Sequence, residues 1–265
     1  MTTITESTQA GTATVGAPLL RVQGLHKSFT FHAVDGRQVD GLRGVDLTVN
    51  EAEHVSLAGL SGAGKSSLLK CVHRTYVIEA GSISYRTADD EWLDLEALPD
   101  VTMASLRGRD IGYVSQFLRA EPRRGVYDVV ERAARRQGVE ADEAAERARR
   151  ILGRLRIDES LWATYPTLLS GGEKQRVNLA TGIVVPPRLL LLDEPVSALD
   201  PLNREAVLSL IDDLPSQGTT VLSVFHDLDA IARLADRVVV MVDGRVVDEG
   251  PAARVLETGL ELDAT

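Results

Sequence analysis

Apolar and polar positions along the chain fall into three regimes. Between residues 19 and 49 short β-type runs at 20–22 and 45–49 alternate with polar turns containing Gly36 and Gly41. That pattern predicts an antiparallel edge sheet with no helix. His54-Val55-Ser56-Leu57-Ala58 predicts a short strand, then comes a glycine-rich turn, then apolar residues at helical spacing over 65–74. Residues 81–95 predict a hairpin and 111–115 another short strand, with a variable loop between them. From 126 to 155 alanine, arginine and glutamate dominate, and Gly138 and Gly153 are the only glycines, so two helices separated near Gly138 are expected. A further helix is expected to begin at Glu173 and stop before Pro186-Pro187. Beyond it the apolar or β-branched runs 189–192, 219–224 and 237–241 alternate with helical periods at 202–214 and 228–234. Strands apolar throughout, alternating with helices, predict an α/β fold with a parallel sheet covered on both faces.

Length and composition bound what such a fold can do. A chain of 265 residues suits one sizeable α/β domain with lobes, here expected over 19–255, between tails at 1–18 and 256–265. Twenty-nine basic against 39 acidic side chains give a formal net charge of −10, and aromatic residues make up 4%. A nucleic-acid surface needs clustered cations, so nucleic acid is not an expected partner. Arginines gather only locally, between Arg132 and Arg156. The single Cys71 supports neither a disulfide nor a metal-ligand set and fits a reducing, cytoplasmic compartment. No apolar stretch approaches the ~18 residues that span a bilayer, so direct membrane insertion is not expected. Residues 1–16, rich in Thr, Ala and Gly, lack the basic and apolar regions of a secretory signal and read as a disordered tail.

The chemistry enters with Gly59-Leu60-Ser61-Gly62-Ala63-Gly64-Lys65-Ser66, which fits the phosphate-loop pattern G-x-x-x-x-G-K-[ST] between a predicted strand and helix. Glycines let backbone N–H groups curl around a β-phosphate at the positive end of the following helix. Lys65, one of only four lysines, would bridge the β- and γ-phosphates, and Ser66 would coordinate Mg. Residues 59–66 together with Ser67 form the expected ATP-binding loop.

Two further constellations extend the site. Four leucines lead into Asp193 and Glu194, the arrangement of a buried strand that delivers acids to the carboxyl edge of a sheet. There Asp193 would hold Mg through its water shell and Glu194 would act as general base toward the attacking water. Ser170, Gly171 and Gly172 stand before another predicted helix and can offer N–H groups to an anion. One ATP needs only one cradle, so two cradles far apart in sequence point to ATP sandwiched between two domains.

The run Ser170-Gly171-Gly172-Glu173, Gln116, Ser197-Ala198-Leu199-Asp200 and His226 stand in the order seen in ABC ATPases, which residues 19–255 resemble. The resemblance implies a phosphate-loop NTPase domain with an antiparallel β subdomain, an inserted helical subdomain at about 117–175, and a second ABC domain as partner. It also implies that Gln116 contacts Mg or the lytic water and couples the site to partners. By the same resemblance Asp200 lies on the dimer seam, His226 touches the γ-phosphate, and Phe29 sits against adenine. As a bare residue, Phe29 reads equally as core.

Within that family the chain is similar to the L subunits of bacterial carbon-phosphorus lyase systems, the PhnL group, which serve phosphonate breakdown. The runs Ser28-Phe29-Thr30-Phe31-His32, Glu91-Trp92-Leu93-Asp94-Leu95, Tyr113-Val114-Ser115-Gln116-Phe117-Leu118-Arg119, Arg176-Val177-Asn178 and Phe225-His226-Asp227 carry it. It implies lyase subunits as partners in making a ribose 1-phosphonate 5-triphosphate. Two departures keep an alternative open, the ATPase subunit of a transporter or lipoprotein-release system. Thr181 stands where arginine is usual, and residues 243–251 read like the closing hairpin of importers.

Overall fold

The computed structural model describes residues 16–31, 37–115 and 123–257, and regular structure within them runs from Pro18 to Glu257. Strands β1 (Pro18–Phe31) and β2 (Arg37–Asn50) pair antiparallel and continue into β4 (Ala80–Arg86) and β5 (Trp92–Asp94), in the order β2-β1-β4-β5. A second sheet holds β3 (His54–Ala58), β6 (Ile111–Val114), β7 (Leu189–Asp193), β8 (Thr220–Val224), β9 (Arg237–Val242) and β10 (Arg245–Pro251). Its order is β10-β9-β3-β8-β7-β6, parallel except for the edge strand β10.

The leucine run of β7 shows why this sheet is covered twice. Leu189 and Leu191 enter one core, Leu190 and Leu192 the other, as the two-residue strand period requires. The first core is closed by the antiparallel sheet and by Leu68, Leu69, Cys71 and Val72 of α1 (Lys65–Val72). The second is closed by α3 (Val126–Arg136), α4 (Ala141–Arg154), α5 (Gly171–Ile183), α6 (Pro201–Asp212) and α7 (Leu228–Leu234), with α8 (Ala252–Glu257) at its rim. Each fully buried leucine contributes about 1.5–3 kcal/mol, so the same run that builds the sheet fixes its depth. Cys71 is fully buried, and burial pushes its thiol up to about 12. No helix among the described residues is long and apolar enough to cross a membrane.

The sequence pattern and the structure part in three places. Gly41 lies inside β2 rather than in a turn, because long paired strands present polar residues outward and those positions mimic turns. The stretch expected to be a loop before β6 contains α2 (Asp100–Arg109). That helix buries only Met103 and Leu106, too narrow a stripe to mark a period. Finally, α5 starts at Gly171, not Glu173, because Ser170 and Glu173 form a reciprocal capping box that draws both glycines into the first turn.

Candidate active site

The carboxyl ends of β3, β8, β7 and β6 lie side by side, and each delivers one part of the site. After β3 the chain bends through residues 59–64 into α1. Gly59 adopts φ 137°, and a Cβ there would stand 2.1 Å from the Met241 carbonyl oxygen, so only glycine fits. Gly64 caps α1 at φ 102° with no side-chain cap, so the first N–H groups of the helix stay available to an anion. The loop is braced from below: Gly244 N donates to Ala63 O at 3.1 Å, and Arg43 N to Gly244 O at 2.8 Å.

Lys65 is 5% exposed, and its Nζ donates to Gly59 O at 2.5 Å and Leu60 O at 2.9 Å, folding the ammonium back over the loop. Burial lowers its pKa, and the nearby carboxylates of Glu194 and Asp193 offset part of that shift. Ser66 Oγ donates to Asp193 Oδ1 at 2.7 Å, joining residues 127 apart in the chain. At the end of β7, Glu194 is a non-glycine residue at φ 55°, held from both sides. Its N–H donates to Val224 O at 3.1 Å, and its carbonyl accepts from Gln175 Nε2 at 2.6 Å. Gln175 Oε1 accepts from Ala198 N at 3.2 Å. His226, two residues past β8, places Nε2 2.7 Å from Glu194 Oε1.

An open cleft of about 220 Å³ gathers these parts: Phe29, Ser61, Gly62, Lys65, Glu194 and His226 line it. Gly64, Ser66 and Ser67 line it too, joined by Val39, Asp40 and Gly41 of β2. Leu60 is an exposed side chain of the same loop, and Ala63 is buried beneath it. Phe29 stands edge-on to Tyr76, ring centroids 5.2 Å apart. Gly41 passes so close to Phe29 that a Cβ there would lie 2.5 Å from the ring, so a glycine in β2 opens the aromatic to the cleft.

Ser170, Gly171, Gly172 and Asp200 are not among the residues lining that cleft. Ser170 and Gly171 are exposed, and Ser170 Oγ is engaged with Glu173. Asp200 caps α6, accepting from Leu202 N and Asn203 N at 3.1 Å, and the Asn203 bonds hold its carboxyl below the usual range. Gln116 lies outside the described residues. Sequence reasoning missed three contributors. Gln175 was legible only as part of a motif, and Asp40 as a polar position. Tyr113, whose hydroxyl donates to Asp193 Oδ2 at 2.9 Å, reads as an ordinary core strand residue.

The oxygen donors fit magnesium. Among the described residues no group of three or more His, Cys, Asp or Glu side chains is placed to hold a metal. Ser66 and Asp193 instead offer a hydroxyl and a carboxylate 2.7 Å apart, the sparse hard-oxygen set that suits an ion retaining waters and phosphate oxygens. Bound there, magnesium would neutralise charge on the phosphates.

Comparison with known proteins decides the family. Residues 42–197, more than half of the chain, match the ABC transporter family. The chain belongs to it. This ABC ATPase is 36% identical over 249 residues to a putative peptide import ATP-binding protein of Brucella melitensis, covering 90% of this chain and 73% of that relative. It is 33% identical over 235 residues to a methionine import ATP-binding protein of Listeria monocytogenes, covering 88% of this chain and 66% of the relative. The dimeric post-hydrolysis structure of the ATP-binding cassette MJ0796 with ADP and Pi superposes with a TM-score of 0.79 at 26% identity, covering 88% of this chain and 99% of that one. The protein is therefore an ATP-hydrolysing enzyme with the expected α/β fold. The narrower resemblance to carbon-phosphorus lyase L subunits has no counterpart among the relatives named here, which are import ATP-binding proteins.

Proposed function

We propose that this ABC ATPase binds Mg-ATP in the Phe29–Lys65 cleft and hydrolyses it against a second ABC domain, powering an import transporter from the cytoplasmic face of the membrane. The observation that carries the reading is the 2.7 Å contact between Glu194 Oε1 and His226 Nε2 at the mouth of a phosphate loop. In it Lys65 and the α1 amides would hold the phosphates, and Ser66 and Asp193 would hold magnesium, with Gln116 kept as a proposed contact to the metal or the lytic water. Glu194 takes a proton from water as the new bond to the γ-phosphorus forms and the bridging bond to ADP breaks, releasing inorganic phosphate. His226 orients Glu194 and meets the γ-phosphate.

A composite site accounts for the exposed Ser170 and Gly171, which with half-buried Gly172 would close over the nucleotide of a second domain, with Asp200 on the seam. The dimeric relatives of known structure support this arrangement. The names of the import relatives support a membrane partner. A second reading, an ATPase of the carbon-phosphorus lyase assembly, is favoured by one observation, the run Gln116-Phe117-Leu118-Arg119 followed by Pro122-Arg123 in the segment assigned to partner docking. Affinity purification from the native host separates the two. Recovery with a multi-spanning membrane protein supports the importer reading, and recovery with soluble lyase subunits replaces it.

A further inference from the structure

We propose that Tyr113 is a positioning residue that holds the metal-binding carboxylate of Asp193 in place. The assignment rests on the reading of Ser66 and Asp193 as the pair that holds magnesium. Asp193 is 7% exposed and ends β7, where its carboxylate, whose terminal torsion is soft, needs outside contacts to fix its plane. Two hydroxyls supply them, one on each oxygen: Ser66 Oγ donates to Oδ1 at 2.7 Å, and Tyr113 Oη donates to Oδ2 at 2.9 Å. They are not equivalent. Ser66 is itself an expected metal ligand, so its bond to Asp193 shares an oxygen with the ion. The Tyr113 bond reaches Asp193 from outside the metal's ligand set.

Tyr113 is well placed to anchor. It sits in β6 opposite Leu191 in the parallel register with β7, two residues before Asp193. Its ring lies 5.0 Å from the imidazole of His73, tilted by 30°. His73 is tied in turn: its Nδ1 lies 2.9 Å from Thr75 Oγ1, and its carbonyl accepts from Arg107 Nε of α2 at 2.8 Å. The phenol oxygen is thus the end of a braced chain running from α2 through the end of α1 to the acid of β7.

Hydrogen bonds that orient the groups holding a metal, whether they bind it directly or, as expected for Asp193, through its water shell, are typically worth 10–100-fold in metal affinity. The full-length chain and its Tyr113→Phe variant, which removes only the phenol oxygen and keeps the ring against His73, would be titrated with a fluorescent ATP analogue in EDTA and across a range of Mg2+. The expected result is an affinity in EDTA within about twofold of the parent, with a Mg2+ half-saturation raised about tenfold. An unchanged Mg2+ half-saturation overturns the assignment. So does an equal fall in EDTA and in Mg2+, which marks general damage to the cleft. A parent chain that gains no affinity from Mg2+ overturns the metal reading itself, and with it the role of Tyr113. A parent that gains and a variant that matches it removes Tyr113 alone.

Discussion

His226 Nε2 and Glu194 Oε1 lie 2.7 Å apart, so the residues that follow two adjacent parallel strands, β8 and β7, meet over the phosphate loop. Glu194→Gln keeps the shape of the side chain and removes the proton acceptor, so turnover is expected to fall roughly 10² to 10⁴-fold while ATP binding is retained. Because the two residues share one hydrogen bond, adding His226→Ala should lower the rate by much less than the product of the single effects. Steady-state ATPase assays of both singles and the double check this, and a parent-like rate in Glu194→Gln would sink the general-base role.

Lys65→Ala removes a buried ammonium that also ties the loop to itself through Gly59 O and Leu60 O. Hydrogen bonds to charged groups contribute about 1.5–3 kcal/mol, so ATP affinity should fall roughly ten- to hundredfold. Equilibrium nucleotide binding measures it, and an unaltered affinity would remove Lys65 from the phosphate site.

Two glycines of the same loop should respond differently to alanine. Gly62 has φ 84° but open space around a new Cβ, so Gly62→Ala should cost about 1 kcal/mol of strain, roughly 2–4 °C in Tm. Gly59→Ala meets the same kind of strain and drives a methyl onto the Met241 carbonyl, so it should lower Tm at least about twice as far and abolish ATP binding. Equal losses in thermal unfolding would show that Met241 is no obstacle.

His54 is fully buried in β3, with Nε2 2.9 Å from Ser223 Oγ, and burial lowers its pKa to about 3 from 6.5. The unfolded chain takes up a proton below pH 6.5 that the folded chain refuses. The stability tied to this group is therefore fully present above pH 6.5 and drains away as pH falls toward about 3. By pH 5 the loss is about 2 kcal/mol, from 1.36 kcal/mol per pH unit. Denaturant unfolding of His54→Gln across that window should show a shallower acid limb than the parent, and parallel curves would contradict the account.

The strands β7, β8 and β9 were legible because strands buried on both faces are apolar or β-branched at nearly every position, with Ser223 of β8 a buried polar exception, and so leave near-continuous runs. The phosphate loop was legible because its chemistry is contiguous: glycines, lysine and serine act within eight residues of one another. Helix α2 was not, since a helix that buries two side chains leaves no stripe. Nor was the lining contributed by Val39, Asp40 and Gly41, because nothing local in β2 says that it passes beside α1.

The sequence by itself determined the class of chemistry, through a loop whose backbone freedom and charge are local properties, and the α/β class, through the two burial periods. Tertiary structure alone decided the pairings: Ser66 with Asp193 across 127 residues, Tyr113 with Asp193 across 80, His226 with Glu194 across 32. Those contacts depend on the strand order β3-β8-β7-β6, which brings distant carboxyl ends together. The order arises from how two cores close on one sheet, a global balance of packing that no period along the chain records.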